Sequence, residues 1–247
     1  MVTAVDRQAR RNEILKELGL TPLWRARTPG EDSAARESSE QAASSPADAA
    51  EDRRSKILRM DWDELKISVE GCVACPLCRS RSRTVFGVGD SDADWLCVGE
   101  GPGVEEDAKG EPFVGPSGKL LDNMLAAINL KRGRNVYIAN IVKCRPPGNR
   151  NPAPHEAQQC APYLARQIEL IKPKLIIALG KVAAQNLLHT DAAIASLRGK
   201  LYEHSGIPVI VTYHPAYLLR TLADKAKVWE DLCFARSTMQ DLLQSAI

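Results

Sequence analysis

The chain has 247 residues, 44% of them hydrophobic, enough for one sizeable core with an appendage to spare. Its 33 Lys and Arg against 31 Asp and Glu leave a formal charge of +2, which excludes a uniformly basic coat, so any basic surface has to be local. No run approaches the ~18 apolar residues of a membrane span, and MVTAVDRQARRNEIL lacks the apolar centre of a secretory signal, so no membrane partner and a cytoplasmic location are expected.

Residues 1–26 form the first segment, in which Ile14, Leu15, Leu18 and Leu20 among charges predict a short amphipathic helix closed by Gly19 and Pro22. Such a helix could cover the core or dock a partner. The segment 27–55 is rich in Ser, Ala, Glu and Pro and has no large apolar residue, so it cannot offset its ordering entropy by burial; a disordered linker is expected. The main globular domain is expected over 56–247. It begins with Leu58, Trp62, Leu65 and Val69, one apolar stripe on a helix leading into Cys72.

Beyond it the pattern predicts a strand at Trp95–Val98, a helix burying Leu120, Leu121, Met124, Leu125 and Ile128, and a strand at Val136–Ile141. Pro154 opens a helix with Ala157, Cys160, Leu164, Ile168 and Ile171 on one face. A strand at Lys174–Leu179, a helix from Gly180 to His189, a hairpin bracketed by Gly199 and Gly206, and a strand at Val209–Thr212 complete the alternation. Strands alternating with helices predict an α/β fold, a three-layer αβα sandwich around a mainly parallel four-stranded sheet.

Open α/β sheets bind ligands outside the carboxyl ends of their strands, so the segments GEGPGVEED, KCRPPGNRNP and TYHPAYLLR draw attention. Three glycines in Gly99–Gly103 let backbone approach a ligand, with Glu100 and Glu106 beside it; a tight turn before an acidic helix start explains that motif equally well. His214, held by Pro215 at a strand's end, reads as a charge stabiliser or proton donor, whereas His155, His189 and His204 read as structural. Asn140 is either a sheet-edge cap or a donor and acceptor for a nucleobase edge. Arg145, Arg150, Arg198, Lys200 and Arg220 form a local basic rim. Leu218 and Leu219 are core anchors, or a wedge filling the gap left by a flipped base.

Seven cysteines, an odd number, favour metal ligation or burial over disulfides in a reducing compartment. Cys72 and Cys75 have the two-residue gap at which thiolates share a metal centre, and Cys144 and Cys160 add two more. Spacing leaves zinc and an iron–sulfur centre both open, and Cys78 extends the run to C-x₂-C-x₂-C. Cys97 and Cys233 read as buried small hydrophobes.

Taken together, GEGPGVEED, PFVGPSGKLLD, NIVKCRPPGNRNP, RGK and HPAYLLR resemble the family 4, iron–sulfur, uracil-DNA glycosylases. The resemblance runs from about Cys72 to Arg220, and the intervals of 68 residues between Cys75 and Cys144 and 15 between Cys144 and Cys160 agree with it. It implies hydrolysis of the N-glycosidic bond of uracil in single- or double-stranded DNA by a monomer, with a structural [4Fe–4S] cluster on Cys72, Cys75, Cys144 and Cys160 and Cys78 left over. It further implies a pocket using the backbone of Glu100 and Gly101, Phe113 stacked on the flipped base, Asn140 on the uracil edge and His214 near its O2, with Leu218 and Arg220 toward the DNA. Glu100 and Glu106 are the candidates for orienting the attacking water, Glu100 slightly preferred, because relatives in other branches carry Asp or Asn where this chain has Gly101. A metal-stabilised DNA-binding module without catalysis is the main alternative, and a redox protein using Cys72 and Cys75 as a dithiol the second.

Overall fold

The computed structural model describes residue 10, residues 13–17 and residues 46–245. The chain divides into a unit over Met1–Ala47 and a unit over Asp48–Ile247. In the first, Arg10 and residues 13–17 are helical; Leu18 and Leu20 of the expected amphipathic helix lie outside the described residues.

Helix α1, Pro46–Ile57, corrects the expected linker, whose last ten residues are helical. Pro46 suits a first helical position, the Ala-rich stretch after it has high helix propensity, and the far end is anchored: Ile57 is buried, and Arg53 donates to the Gln159 carbonyl at 3.0 Å. Leu58 therefore sits in a turn. Helix α2, Trp62–Glu70, starts afresh at Asp61, whose carboxylate accepts the Glu64 N–H while Glu64 accepts the Asp61 N–H. Ile57, Leu65, Val69, Phe86 and Tyr163 form a small apolar cluster beneath these two helices.

Strands β1 (Val88–Gly89), β2 (Trp95–Gly99), β3 (Val136–Asn140), β4 (Leu175–Leu179), β5 (Leu201–His204) and β6 (Ile207–Thr212) make one six-stranded sheet in the order β1-β3-β2-β4-β6-β5. The four central strands are the expected parallel set. The expected hairpin adds β5 antiparallel to β6 at one edge; the two-residue β1, antiparallel to β3 at the other, is too short to leave a periodic signal.

Alternation along each strand sends side chains to two cores. Leu96 and Val98 pack with Leu164 and Ile168 of the helix Pro154–Ile171 and Ala183, Ala184 and Leu187 of Lys181–Leu188. Trp95 and Cys97 pack with Leu121 and Leu125 of Pro116–Ala127 and Leu232 and Met239 of Lys225–Gln244. The result is three layers, αβα. Cys97 is fully buried, whereas Cys233 is only half-buried.

Candidate active site

Gly99 and Asn140 pair at the ends of neighbouring parallel strands, so the loops after β2 and β3 leave the sheet side by side, and β6 ends two strands away at Thr212. Between them lies a cleft of about 340 Å³ lined by Glu100, Gly101, Glu106, Phe113, Asn140, Arg150, His214 and Arg220 among others. The fold thus brings together seven of the expected substrate-side residues. Leu218 is the exception.

Asn140 is 2% exposed, and its Oδ1 has no hydrogen-bond partner among the described residues. A buried amide oxygen without a partner costs about 1–3 kcal/mol, so it points to a ligand donor that completes it. Its main chain is fixed from behind: the buried Lys143 ammonium donates to the Asn140 carbonyl at 3.0 Å and to Gln167 Oε1 at 2.6 Å, and burial brings the Lys143 pKa down to about 8. A charge inside NIVKC was the only sign in the sequence of this strut.

Phe113 has φ 54°, a left-handed conformation uncommon for a bulky side chain. Three groups impose it. Arg132 donates to the Pro112 and Phe113 carbonyls at 2.9 and 2.8 Å; Gly118 leaves room that a Cβ, 1.8 Å from the Phe113 oxygen, would take away; and Glu106 accepts the Val114 and Gly115 N–H groups at 3.0 and 3.3 Å. Glu106 also accepts the Gly103 N–H at 3.1 Å, capping helix Val104–Lys109. Its carboxylate is therefore engaged in shaping the loop. The same helix carries buried Asp107, which accepts the Ser82 N–H and so ties the catalytic loop to the segment after Cys78.

The Phe113 ring stacks on the His214 imidazole, with centroids 5.4 Å apart. Gly180, at φ +94°, makes space for His214, since a Cβ there would lie 2.8 Å from the histidine's own. His214 Nδ1 accepts the Ala216 N–H at 3.1 Å, which leaves the proton of the neutral ring on Nε2. Burial lowers its pKa to about 4, with Arg220 adding to the effect and Glu106 opposing it. The ring is a neutral donor at physiological pH.

Burial pushes the Glu100 carboxyl above its ordinary value. Position 101 is tight: a Cβ there would lie 2.8 Å from Val142 Cγ2, so a side chain would require Val142 to move.

Two expectations are corrected. Leu218 is 1% exposed and belongs to the core; Leu219, 45% exposed, is the apolar side chain beside Arg220 that can reach outward. The helical turn Pro215–Leu218 alternates its sides over single residues, which no apolar pair in sequence distinguishes. Arg198 is withdrawn from the basic rim: it donates to both Asp231 oxygens at 2.7 and 3.0 Å and lies over the Tyr213 ring, while Asp231 also accepts from Thr212 at 2.6 Å. It braces the end of β6. Arg150 lines the cleft while paired with Glu156 at 2.7 Å.

Cys72, Cys75, Cys78, Cys144 and Cys160 border one separate small cavity. Three donors address its sulfurs: Arg81 to Cys144 Sγ at 3.1 Å, Arg53 to Cys72 Sγ at 3.7 Å and the Lys143 N–H to Cys160 Sγ at 3.3 Å. Such donors favour thiolates. Among the described residues no three Cys, His, Asp or Glu side chains converge as for a single metal ion. Neither Arg53 nor Arg81 was singled out from the sequence, where an isolated arginine carries no signal.

The profile of the uracil DNA glycosylase superfamily matches residues 86–233. The chain is 46% identical over 165 residues to a type-4 uracil-DNA glycosylase of Archaeoglobus fulgidus, covering 64% of this chain and 82% of that one. It is 43% identical over 173 residues to the type-4 enzyme of Thermotoga maritima, covering 68% and 90%. For the type-4 enzyme of Pyrobaculum aerophilum the figures are 40% over 181 residues, covering 70% and 92%.

Proposed function

The chain belongs to the uracil-DNA glycosylase superfamily, among its type-4 members, and we propose that the cleft between Asn140, Phe113 and His214 is where it receives an extruded uracil and cuts it from DNA. It hydrolyses the N-glycosidic bond of uracil in DNA and leaves an abasic site, the first step of base excision repair. The unpartnered Asn140 Oδ1 carries the assignment: it accepts the N3–H of uracil, while the amide nitrogen donates to O4. Cytosine lacks that N3–H and meets the oxygen with a lone pair.

Bond cleavage develops negative charge on uracil O2 and positive charge on the sugar. The His214 Nε2–H, neutral and fixed by the Ala216 bond, donates to O2, and the backbone at Glu100 and Gly101 borders the same base. Phe113 supplies the stacking surface. Glu100, its carboxylate raised by burial, orients water toward the anomeric carbon, whereas Glu106 is a positioning residue through its three backbone bonds. Arg150 and Arg220 at the cleft's edge meet phosphates, and Leu219 fills the stack behind the flipped nucleotide.

Cys72, Cys75, Cys144 and Cys160 hold a [4Fe–4S] cluster. The donor set fits: these four cysteines line one cavity, and three of their sulfurs are addressed by N–H donors. The cluster supplies no step of the hydrolysis; when bound it cross-links α2, the loop after Asn140 and the helix bearing Cys160. In this reading the enzyme acts as a monomer in the cytoplasm, on nucleoid DNA; the residues that line the cleft all come from one chain. The apolar Ile14, Leu15, Leu18 and Leu20 support a role for residues 1–26 in docking a repair or replication partner, to be tested by pull-down after deleting residues 1–52.

The function is tested with a uracil-containing oligonucleotide, single- and double-stranded, scored for alkali-sensitive abasic sites. Purified protein cleaves it, and Asn140→Ala slows single-turnover cleavage about 10–100-fold, the loss of one bidentate base contact. Absence of abasic sites from the iron-loaded protein, or an unchanged rate in Asn140→Ala, refutes the reading.

A further inference from the structure

Cys72, Cys75 and Cys78 recur every third residue, so the spacing that makes the first pair a metal-binding unit is repeated in the second. Only the first pair belongs to the ligand set proposed above. The fate of Cys78 is decided by the turn that carries it. Pro76–Arg79 is a 3₁₀ turn opened by Cys75, and the Cys78 N–H donates to the Cys75 carbonyl at 3.2 Å. A 3₁₀ turn carries residue i+3 back toward residue i, so it returns Cys78 to the side on which Cys75 stands. Leu77, between them, turns the other way and is buried in the core.

Cys78 is neither packed away nor free on the surface. Cys78 is half-buried like Cys233, but unlike Cys233 it borders the same cavity as the four ligands. Arg81 closes that side, anchored on the Cys72 and Glu70 carbonyls at 2.8 and 3.1 Å while it donates to Cys144 Sγ. The turn between Cys75 and Arg81 is thereby pinned at both ends against the cluster site.

We propose that Cys78 is a reserve ligand, able to replace Cys75 on the iron–sulfur cluster when Cys75 is lost or blocked. With Cys75 absent or its sulfur capped there is no bond to Cys75 to break: Cys78 Sγ forms the iron–sulfur bond at the iron left open, its thiol proton passes to solvent, and no electron moves. Cys144 and Cys160 have no comparable neighbour, since the cavity's remaining cysteines all lie on the 72–78 segment.

The inference rests on the cluster assignment, and the experiment separates the two. Iron per chain and visible charge-transfer absorption are measured for the intact protein and for Cys75→Ala, Cys78→Ala, Cys75→Ala/Cys78→Ala and Cys144→Ala, with alkylation of each cysteine mapped by mass spectrometry. About four irons in the intact protein establish the cluster; zinc or no metal refutes that assignment itself. Given the cluster, Cys78→Ala keeps its full iron, Cys75→Ala keeps more than half, and the double variant and Cys144→Ala lose it. Cys78 is alkylated in the intact protein and becomes protected in Cys75→Ala. Iron loss in Cys75→Ala equal to that of the double variant, or Cys78 alkylated in both backgrounds, overturns the proposal, as does loss of iron from Cys78→Ala alone. Should Cys75→Ala fail to fold, Cys75→Ser reconstituted anaerobically is read in the same way, and a colourless product overturns it.

Discussion

Glu100, in the loop after β2, and Glu106, in the helix that follows it, line one cleft, yet the structure gives them opposite energetics, so replacing each by glutamine separates a positioning carboxylate from a chemical one. Glu106 accepts three backbone N–H groups, from Gly103, Val114 and Gly115. Glutamine keeps one acceptor oxygen for Val114 and Gly115 but turns an NH₂ toward the Gly103 N–H. One charge-assisted bond is lost and two donors face each other, a cost of about 2–3 kcal/mol. At about 2–4 °C per kcal/mol for a domain of this size, the melting temperature of Glu106→Gln falls by roughly 4–12 °C. Activity falls too, because Phe113 loses part of what holds its left-handed backbone. Glu100 is held up in pKa by burial, so glutamine relieves a desolvation cost and the melting temperature of Glu100→Gln stays level or rises. Its single-turnover rate nevertheless drops about 100-fold or more, as for loss of a general base. The two variants and the parent are melted under circular dichroism and assayed on one uracil oligonucleotide at saturating enzyme. If Glu106→Gln melts like the parent, or Glu100→Gln is destabilised as much as Glu106→Gln, the division of roles is wrong.

His214 should show the Nε2–H tautomer in long-range ¹⁵N spectra and stay neutral down to about pH 5; titration near the ordinary value of 6.5 would remove the buried-donor role. The linked stability is fully present above pH 6.5, where neither folded nor unfolded ring is charged. It is lost as pH falls from 6.5 toward 4, by about 3 kcal/mol in all, a drop measurable by urea unfolding in that window and absent from His214→Asn. Gly118→Ala places a methyl 1.8 Å from the Phe113 carbonyl oxygen, so it should melt well below the parent and lose cleavage, whereas Gly133→Ala, with open space around it but a φ of +75°, should cost only about 1 kcal/mol of backbone strain. Arg81→Leu removes the donor to Cys144 Sγ and should release iron to a chelator roughly 10–100-fold faster; an unchanged release rate would deny the guanidinium any part in holding the cluster.

Much of the architecture is written in periodicity. The strands at Trp95, Val136, Leu175 and Val209 are apolar because both faces of a parallel sheet are covered, and their order fixes which loops meet at the carboxyl ends. What periodicity could not place were elements held by single long-range contacts: α1, stabilised where Arg53 reaches Gln159, and β1, two residues paired to β3. In the loops, Glu100, Phe113, Asn140 and His214 were named from motifs in sequence order, and the structure places them along one cleft, with Cys72, Cys75, Cys144 and Cys160 along another cavity.

The sequence by itself supplied the family resemblance and the residue types from which a site can be built, because donors, acceptors and thiols are properties of residue types. Only the tertiary structure decided their roles. Glu106 became a strut because three N–H groups converge on it, Leu218 a core residue because its turn faces the sheet, and Arg198 a brace because Asp231 lies 33 residues away in sequence and 2.7 Å away in space. Asn140, which lines the cleft, was left with a buried amide oxygen that has no partner among the described residues. Convergence of this kind depends on distance in space, which spacing along a chain does not encode.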